Sequence, residues 1–137
     1  MYCCGPTVHD RAHIGNFRTF VFEDVLHRYL LYKGYDVDYV MNITDVEDKT
    51  ILKSRKQKLS LREYTEMFTQ KFFEDCRTLK IVPAKRYPRA TDHIPQMIEM
   101  IRKLLEKGYA YQSRDSVYFR ITSSPSYGKL SGIAQRS

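Results

Sequence analysis

The sequence lacks long hydrophobic runs and has few cysteines. Its apolar stretches are much shorter than the roughly 20 residues that cross a bilayer, and its start lacks the basic and then apolar pattern of a secretory signal. The three cysteines are an odd number, and Cys3 and Cys4 are adjacent, so no disulfide framework is expected. Internal repeats and low-complexity tracts are also missing. We therefore expect a cytoplasmic protein with no membrane partner.

Acidic residues are fewer than basic ones. The chain has 16 Asp and Glu against 23 Lys and Arg, which gives a net charge of +7 at pH 7 and a pI of about 9.3. This excess favours a polyanionic partner, and both nucleic acid and nucleotide phosphate qualify. The 137 residues make one domain or a piece of one, long enough to bury a single core.

The first third of the chain has the pattern of a strand, a loop, a helix and a second strand. Residues 1–4 are short and apolar and end at Gly5-Pro6, which predicts a buried strand and an abrupt stop. Residues 17–33 predict a helix that Gly34 ends, and β-branched and aromatic residues predict a strand over residues 35–44. Such a unit normally has adjacent parallel strands in a right-handed crossover, with ligands bound beyond their carboxyl ends.

The rest of the chain is mainly helical. Residues 45–58 predict a short helix with a basic end, and Ser60 with Glu63 forms a capping-box pattern at the start of the next helix. The apolar stripe of that second helix is Leu61, Tyr64, Phe68, Phe72 and Leu79. A third helix, capped by Thr91 or Asp92, is predicted to end at Gly108, and residues 109–121 predict a β-hairpin.

The segment from Cys4 to Arg18 contains the chemistry. It lies in the turn between the first strand and the first helix, where a doubly wound sheet binds its ligand. Gly15 lets a ligand approach the backbone, the helix start offers amide groups to phosphate, and His13 and Asn16 can donate hydrogen bonds. Taken alone, His13, Gly15 and Asn16 also fit a surface histidine, a turn glycine and a helix cap.

A longer stretch resembles the signature of the cysteinyl-tRNA synthetase family, in which Cys-Gly-Pro-Thr-Val-Tyr-Asp precedes His-Ile-Gly-His or His-Ile-Gly-Asn. The matching residues are Tyr2-Cys3-Cys4-Gly5-Pro6-Thr7-Val8-His9-Asp10-Arg11-Ala12-His13-Ile14-Gly15-Asn16. The resemblance continues through Phe22-Glu23-Asp24-Val25-Leu26, Val40-Met41-Asn42-Ile43-Thr44-Asp45, Arg89-Ala90-Thr91-Asp92-His93-Ile94 and Tyr127-Gly128-Lys129-Leu130-Ser131. Two positions depart from it: His9 stands where Tyr is usual, and Glu47 where Asp is commoner.

The resemblance implies an α/β fold, a partial Rossmann-like nucleotide-binding domain of a class I aminoacyl-tRNA synthetase with a helical and hairpin insertion. Residues 1–58 would form its first half, and residues 59–137 the helical segment and the hairpin. The implied activity condenses cysteine with ATP to cysteinyl-adenylate and then acylates tRNA(Cys). The implied partners are therefore ATP, cysteine and tRNA(Cys), with Zn²⁺ as a metal cofactor.

The resemblance also implies roles for individual residues. His13 and Asn16 would contact the ATP phosphates as catalytic residues, in a nucleotide site completed by Gly5, Pro6, Thr7, Ile14 and Gly15. Cys4 would be the first zinc ligand, at the metal that binds the substrate thiolate, and Thr44 would lie near the bound cysteine.

Structural alternatives stay open for several of these residues. Cys4 also suits a small buried apolar residue, and Thr44 a helix cap. Cys3 and Cys76 are expected to pack in the core, and the lysines from Lys53 to Lys58 to form a solvated face. Surface or capping positions are expected for His27 and His93.

The resemblance implies further zinc ligands and a mobile lysine-containing loop beyond residue 137. We therefore expect an incomplete catalytic fragment that binds zinc weakly or not at all and does not acylate tRNA at a useful rate. Two other functions stay open: a noncatalytic nucleotide- or tRNA-binding module, and a ligase that joins cysteine to an amino sugar. The second usually opens with Gly-Ile-Thr-Pro, whereas this chain has Gly5-Pro6-Thr7-Val8.

Overall fold

A computed structural model describes residues 1–132 of the chain. In chain order, its strands and helices are β1 (Tyr2–Cys3), α1 (Ile14–Tyr32), β2 (Val40–Met41), α2 (Asp48–Lys56), α3 (Leu61–Thr78), α4 (Ile94–Glu106), β3 (Ala110–Ser113) and β4 (Ser116–Phe119), with short 3₁₀ turns at Ala90–His93 and Ile121–Ser123. Contacts divide the chain into two compact units, a first unit of residues 1–92 and a second unit from His93 onward. No helix of residues 1–132 is long and apolar enough to cross a membrane.

β1 and β2 are adjacent and parallel, as the sequence predicts. Tyr2 pairs with Val40 and Cys3 with Met41, and α1 lies between the two strands in the chain. Beyond the strands, Thr7 and Thr44 form a further parallel bridge. The carboxyl ends of both strands therefore lead into the segment that carries the sequence signature.

A third extended segment, which the sequence does not reveal, pairs with the other edge of β2. Val40 bridges to Arg86 and Ile43 to Arg89, both in the parallel sense. The Met41 N–H donates to the Arg86 carbonyl at 3.1 Å, and the Ile43 N–H donates to the Pro88 carbonyl at 2.8 Å. β2 is therefore paired on both sides.

Helix α1 begins three residues before the predicted start, because His13 caps it. Its buried residues are Phe17, Phe20, Asp24 and His27, which recur at helical spacing. The expectation of a surface or capping role for His27 is wrong: its side chain is only 5% exposed, and its ring lies 4.8 Å from that of Tyr39. The opposite face of the helix is apolar but exposed, with Val21, Phe22, Val25, Leu26 and Tyr29.

Helix α3 supplies much of the core of the first unit. Its predicted capping box is confirmed, since the Ser60 hydroxyl accepts from the Glu63 N–H and the Glu63 carboxylate accepts from the Ser60 N–H. The core contains Val8, Phe17, Phe20, Tyr39, Met41, Ile43, Tyr64, Phe68, Phe72, Ile81 and Ala84. Leu79, the predicted end of the stripe, is exposed because the helix ends at Thr78.

Two cysteines pack against this core, as expected. Cys3 and Cys76 are half-buried, and each contacts the core cluster. Burial raises the pKa of the Cys76 thiol to about 11, and burial also raises the pKa of Cys3. Both thiols are therefore protonated at neutral pH and poorly reactive.

In the second unit, α4 begins at Ile94 with His93 at its cap position, so the prediction of a cap by Thr91 or Asp92 is wrong. Thr91 is engaged elsewhere, because its N–H and its hydroxyl both donate to the Asp45 carboxylate, at 2.9 and 2.6 Å. The predicted stop at Gly108 and the predicted hairpin are confirmed. The observed units divide after residue 92. The division after residue 58 that the resemblance implies concerns the complete catalytic domain and stays a prediction.

Candidate functional site

A cavity of about 430 Å³ lies at the carboxyl end of β1. Its wall is the loop from Gly5 to His13, together with Asn16 from the first turn of α1. Its floor consists of Phe20, Phe68 and Phe72. Of the predicted nucleotide-site residues, the structure brings together Gly5, Pro6, Thr7, His13 and Asn16 around this space.

Side chains from α2 and α3 hold the loop in place. The buried Tyr64 donates its hydroxyl hydrogen to the His9 carbonyl at 2.8 Å, and Lys53 contacts the Asp10 carboxylate at 2.7 Å. Arg11 makes an ion pair with Asp75 at 3.0 Å. The loop is therefore fixed by three contacts on side chains that lie more than 40 residues further along the chain.

Gly5 stands where no side chain fits. A Cβ atom at this position would lie 1.7 Å from the backbone carbonyl oxygen of Asn42. The Gly5 N–H also donates to the Asn42 side-chain carbonyl at 3.0 Å. Gly5 therefore lets the chain after β1 run directly against the backbone of the β2 segment, which a side chain at this position would prevent.

His13 and Asn16 cap the helix start reciprocally. The His13 N–H donates to Asn16 Oδ1 at 3.1 Å, and the Gly15 N–H donates to His13 Nδ1 at 3.0 Å. Because Nδ1 accepts, the neutral ring carries its proton on Nε2, and because Oδ1 accepts, the Nδ2 group of Asn16 keeps its donors. Both side chains therefore have hydrogen-bond donors left for a ligand at an exposed helix N-terminus.

Gly15 and Ile14 do not line the cavity. A Cβ atom on Gly15 would lie 2.9 Å from Cε1 of the His13 ring, so a larger residue here would displace that ring. Ile14 is 88% exposed and makes no contact that explains its place in the signature. Gly15 therefore leaves room for the His13 ring, and the predicted nucleotide-site roles of Gly15 and Ile14 stay predictions.

Cys4 and Thr44 lie on the neighbouring strand ends. The Cys4 thiol is exposed, which excludes the alternative of a buried apolar residue. Thr44 does not cap α2, whose cap residue is Glu47. The Thr44 hydroxyl oxygen accepts from the Asn42 side-chain amide at 3.1 Å, and its backbone pairs with the Pro6 carbonyl and the Val8 N–H.

Asn42 is the connecting residue that the sequence analysis missed. Its side-chain carbonyl accepts from the Tyr2 hydroxyl and the Gly5 N–H, each at 3.0 Å, while its NH₂ group donates to Thr44. Alternation along the strand places Asn42 and Thr44 on one face, which is the only sequence signal for this role. The basic run that contains Lys53 predicts a solvated face and gives no signal for its contact with Asp10.

Charge around the loop is balanced locally. The hydrogen bond from Lys53 and that from the Arg11 N–H lower the pKa of Asp10, so this carboxylate is ionised at neutral pH. The two positions that depart from the resemblance, His9 and Glu47, are neighbours, with His9 Nδ1 4.0 Å from a Glu47 carboxylate oxygen. These two departures are therefore compatible with each other in space.

A metal site is not assembled within residues 1–132. No group of three or more His, Cys, Asp or Glu side chains in that range could hold a metal ion. No complete ligand set is formed from the described residues, and the predicted role of Cys4 as a zinc ligand stays a prediction.

Comparisons with known proteins agree with the signature. A family model described as the class I (C) tRNA synthetase catalytic domain matches residues 1–136. The relatives named cysteine–tRNA ligase include those of Chlamydia pneumoniae, 60% identical over 134 residues, and Pyrococcus furiosus, 51% identical over 133 residues. Each match covers 97% of this chain and 28% of the relative. The chain spans little more than a quarter of the length of these relatives, and it belongs to the family of class I (C) tRNA synthetase catalytic domains.

Proposed function

We propose that this chain supplies the nucleotide-binding end of a cysteine–tRNA ligase active site, which activates cysteine with ATP and transfers it to tRNA(Cys). The observation that carries the proposal is the reciprocal cap of His13 and Asn16, which leaves Nε2–H and the Asn16 amide hydrogens available beside the cavity. A triphosphate placed there would meet two side-chain donors and the start of α1.

These donors suit the chemistry of adenylate formation. When the cysteine carboxylate attacks the α-phosphorus of ATP, negative charge increases on the phosphate oxygens and on the departing pyrophosphate. Donors already held in place stabilise that charge without reorganising during the reaction. His13 is held by its Nδ1 contact with Gly15, and Asn16 by its contact with the His13 backbone. We propose both as catalytic residues, and Gly5, Pro6 and Thr7 as the adjoining nucleotide wall.

The neighbouring strand ends would bind the amino acid. We propose Cys4 as one ligand of a zinc ion, and Thr44 as a hydrogen-bonding partner of the substrate cysteine. A zinc ion supplies affinity for thiolate sulfur and lowers the pKa of a thiol that binds it. The exposed thiol of Cys4 and its place at the end of β1 support this role. Asn42 donates to Thr44 Oγ1, which leaves the Thr44 hydroxyl hydrogen free to donate to substrate.

The parallel arrangement supports a Rossmann-like fold for the complete domain. β1, β2 and the segment around Arg86 to Arg89 run in parallel, and the loop with the signature follows the carboxyl end of β1. Ligands of doubly wound sheets bind at such an end. Residues 1–58 would then be the first half of that fold, with the later helices and the hairpin as an insertion.

The test is ATP–pyrophosphate exchange with cysteine, in a chimaera where this chain replaces the matching segment of the Chlamydia pneumoniae relative. His13→Ala should reduce the exchange rate by about a hundredfold to a thousandfold, because one preorganised donor is lost. Asn16→His keeps a donor and should retain most of the rate, whereas Asn16→Asp should not. His93→Ala, an exposed position of the second unit, is the matched control.

Three results would reject all or part of the proposal. An unmodified chimaera that folds and binds ATP without exchanging pyrophosphate would favour a noncatalytic nucleotide-binding module. Equal rates for His13→Ala and His93→Ala would remove His13 from the chemistry. Activity with a cysteine-accepting amino sugar instead of tRNA(Cys) would assign the chain to the other ligase.

A further inference from the structure

The β3–β4 hairpin has two different faces. The register pairs Ala110 with Phe119 and Tyr111 with Tyr118, and successive residues of a strand point to opposite sides. Ala110 is buried, and β3 contacts α4, so the Ala110 side packs on the helix. The Tyr111 side is the other face of the same ribbon, and it is open to solvent.

That open face is a row of flat groups. The rings of Tyr111 and Tyr118 are stacked, with centroids 5.7 Å apart and an interplanar angle of 27°. The guanidinium carbon of Arg120 lies 5.2 Å from the centre of the Tyr111 ring. Both tyrosines are more than 40% exposed. We call this surface, formed by Tyr111, Tyr118 and Arg120, the tyrosine face.

Polar groups surround the tyrosine face. A shallow cavity of about 520 Å³ runs along it, and Ser113, Arg114, Asp115 and Ser116 complete its lining at the turn. Within residues 1–132, neither Arg114 nor Arg120 forms an ion pair with an acidic side chain. The face therefore combines exposed aromatic planes with two arginines that form no ion pair among the described residues, beside one acidic residue, Asp115, at the turn.

We propose that the tyrosine face binds unpaired nucleobases of single-stranded RNA. Aromatic rings and guanidinium planes stack on bases that have left a helix, and cations at the rim attract the phosphates. Its serines and arginines, with one aspartate at the turn, favour a polar and charged ligand over an apolar packing partner. The inference rests on the proposed function, since that function gives the enzyme an RNA substrate, and it names a binding surface for that RNA.

The experiment measures binding of the 137-residue chain to a fluorescein-labelled, single-stranded 12-nucleotide RNA by fluorescence anisotropy. The same RNA annealed into a duplex is the second probe. We expect tighter binding to the single strand, and a loss of about tenfold in affinity for Tyr111→Ala and again for Tyr118→Ala, because each ring stacks on one base. Tyr111→Phe keeps the ring and should keep the affinity within about twofold.

Charge and stacking can be separated by salt. Arg120→Gln should reduce the slope of log affinity against log salt concentration by about 0.7, as expected for one lost phosphate contact to a single strand. The tyrosine variants should leave that slope unchanged. Tyr32→Ala, an 85% exposed tyrosine of α1 in the first unit, is the matched control and should bind like the parent chain.

Several outcomes would overturn the inference. Equal affinity for single strand and duplex, or equal losses for Tyr111→Ala and Tyr32→Ala, would show that general charge attraction explains the binding. Concentration-dependent dimers that Tyr118→Ala abolishes would make the occupant a second copy of the chain. RNA binding needs neither ATP nor cysteine, so the two proposals can fail separately. If pyrophosphate exchange is intact but the chain does not bind RNA, only this inference is rejected. If the chain binds RNA as expected but pyrophosphate exchange is absent, only the proposed function is rejected.

Discussion

The loop in the first unit and the hairpin in the second unit differ in how much buried core supports their candidate functional groups. The loop from Gly5 to His13 lies on a core of aromatic side chains and is held by Tyr64, Lys53 and Asp75. In the second unit, Ala110 is the only buried residue among those that the structure describes. A site that stabilises developing charge needs fixed donors and hence a core beneath it, whereas a stacking surface needs only exposed rings.

The largest expected contrast between the two units is in hydrogen exchange. Amides in the middle of α3 are protected by a packed core, whereas α4 has no buried residue in its whole length. We therefore expect amides of α3 to exchange at least about a hundredfold more slowly than those of α4. Exchange of the chain followed by NMR would measure this, and equal protection of the two helices would contradict the comparison.

Two glycines test how tightly the loop is fitted. Gly5→Ala places a Cβ atom against the Asn42 carbonyl oxygen, so we expect a loss of about 3 kcal/mol in the free energy of unfolding. Gly34→Ala is the control: no atom lies within 4 Å of its Cβ position, and its φ of +83° should cost only about 1 kcal/mol. Urea unfolding would compare them. Similar losses in the free energy of unfolding for the two variants would mean that the close approach of the Asn42 carbonyl is not the reason for a glycine at position 5.

The hydrogen bond between the core residue Tyr64 and the loop can be removed by deleting one oxygen atom. Tyr64→Phe deletes the hydroxyl that donates to the His9 carbonyl, which should cost about 1 kcal/mol of unfolding free energy and loosen the loop. Tyr29→Phe removes an exposed hydroxyl and should change stability by less than about 0.5 kcal/mol. Thermal unfolding of both variants is the measurement, and an unchanged Tyr64→Phe protein would show that this hydrogen bond does not hold the loop.

The smallest effect concerns a solvent-exposed contact. Lys53 lowers the pKa of Asp10, so Lys53→Gln should raise that pKa towards its usual value, with Lys56→Gln as the control. Because the pKa of Asp10 is lower in the folded chain, its ion pair stabilises the fold at pH values above the usual carboxylate pKa. This contribution is lost as the pH falls through the lowered pKa. Carboxyl NMR titration would follow the change. If Lys53→Gln left the pKa of Asp10 unchanged, the claim that Lys53 lowers this pKa would be wrong.

Much of the fold could be predicted because its signals are local. The helices follow from apolar spacing, the start of α3 from the Ser60 capping box, and the parallel pair from the order strand, loop, helix, strand. The candidate site could be predicted because its residues lie within one short signature. Gly5, His13 and Asn16 meet at one cavity through contacts that span the loop.

The rest depends on pairings between distant residues. The segment near Arg86 and Arg89 has no strand pattern of its own and becomes extended only because β2 offers a free edge. The burial of His27 could not be predicted, because the exposed face of α1 is as apolar as the buried one. Asn42 joins Gly5 across 37 positions of the sequence, a distance at which no local rule gives the register.

The most direct test of the central claim is NMR of the His13 imidazole nitrogens in the ¹⁵N-labelled chain. We expect a proton on Nε2, with Nδ1 as the acceptor from Gly15, and a shift of the Nε2–H and the Asn16 NH₂ signals when ATP binds. The His93 ring should show no change. A proton on Nδ1 of His13, or His13 and Asn16 signals that saturating ATP leaves unmoved, would contradict the account.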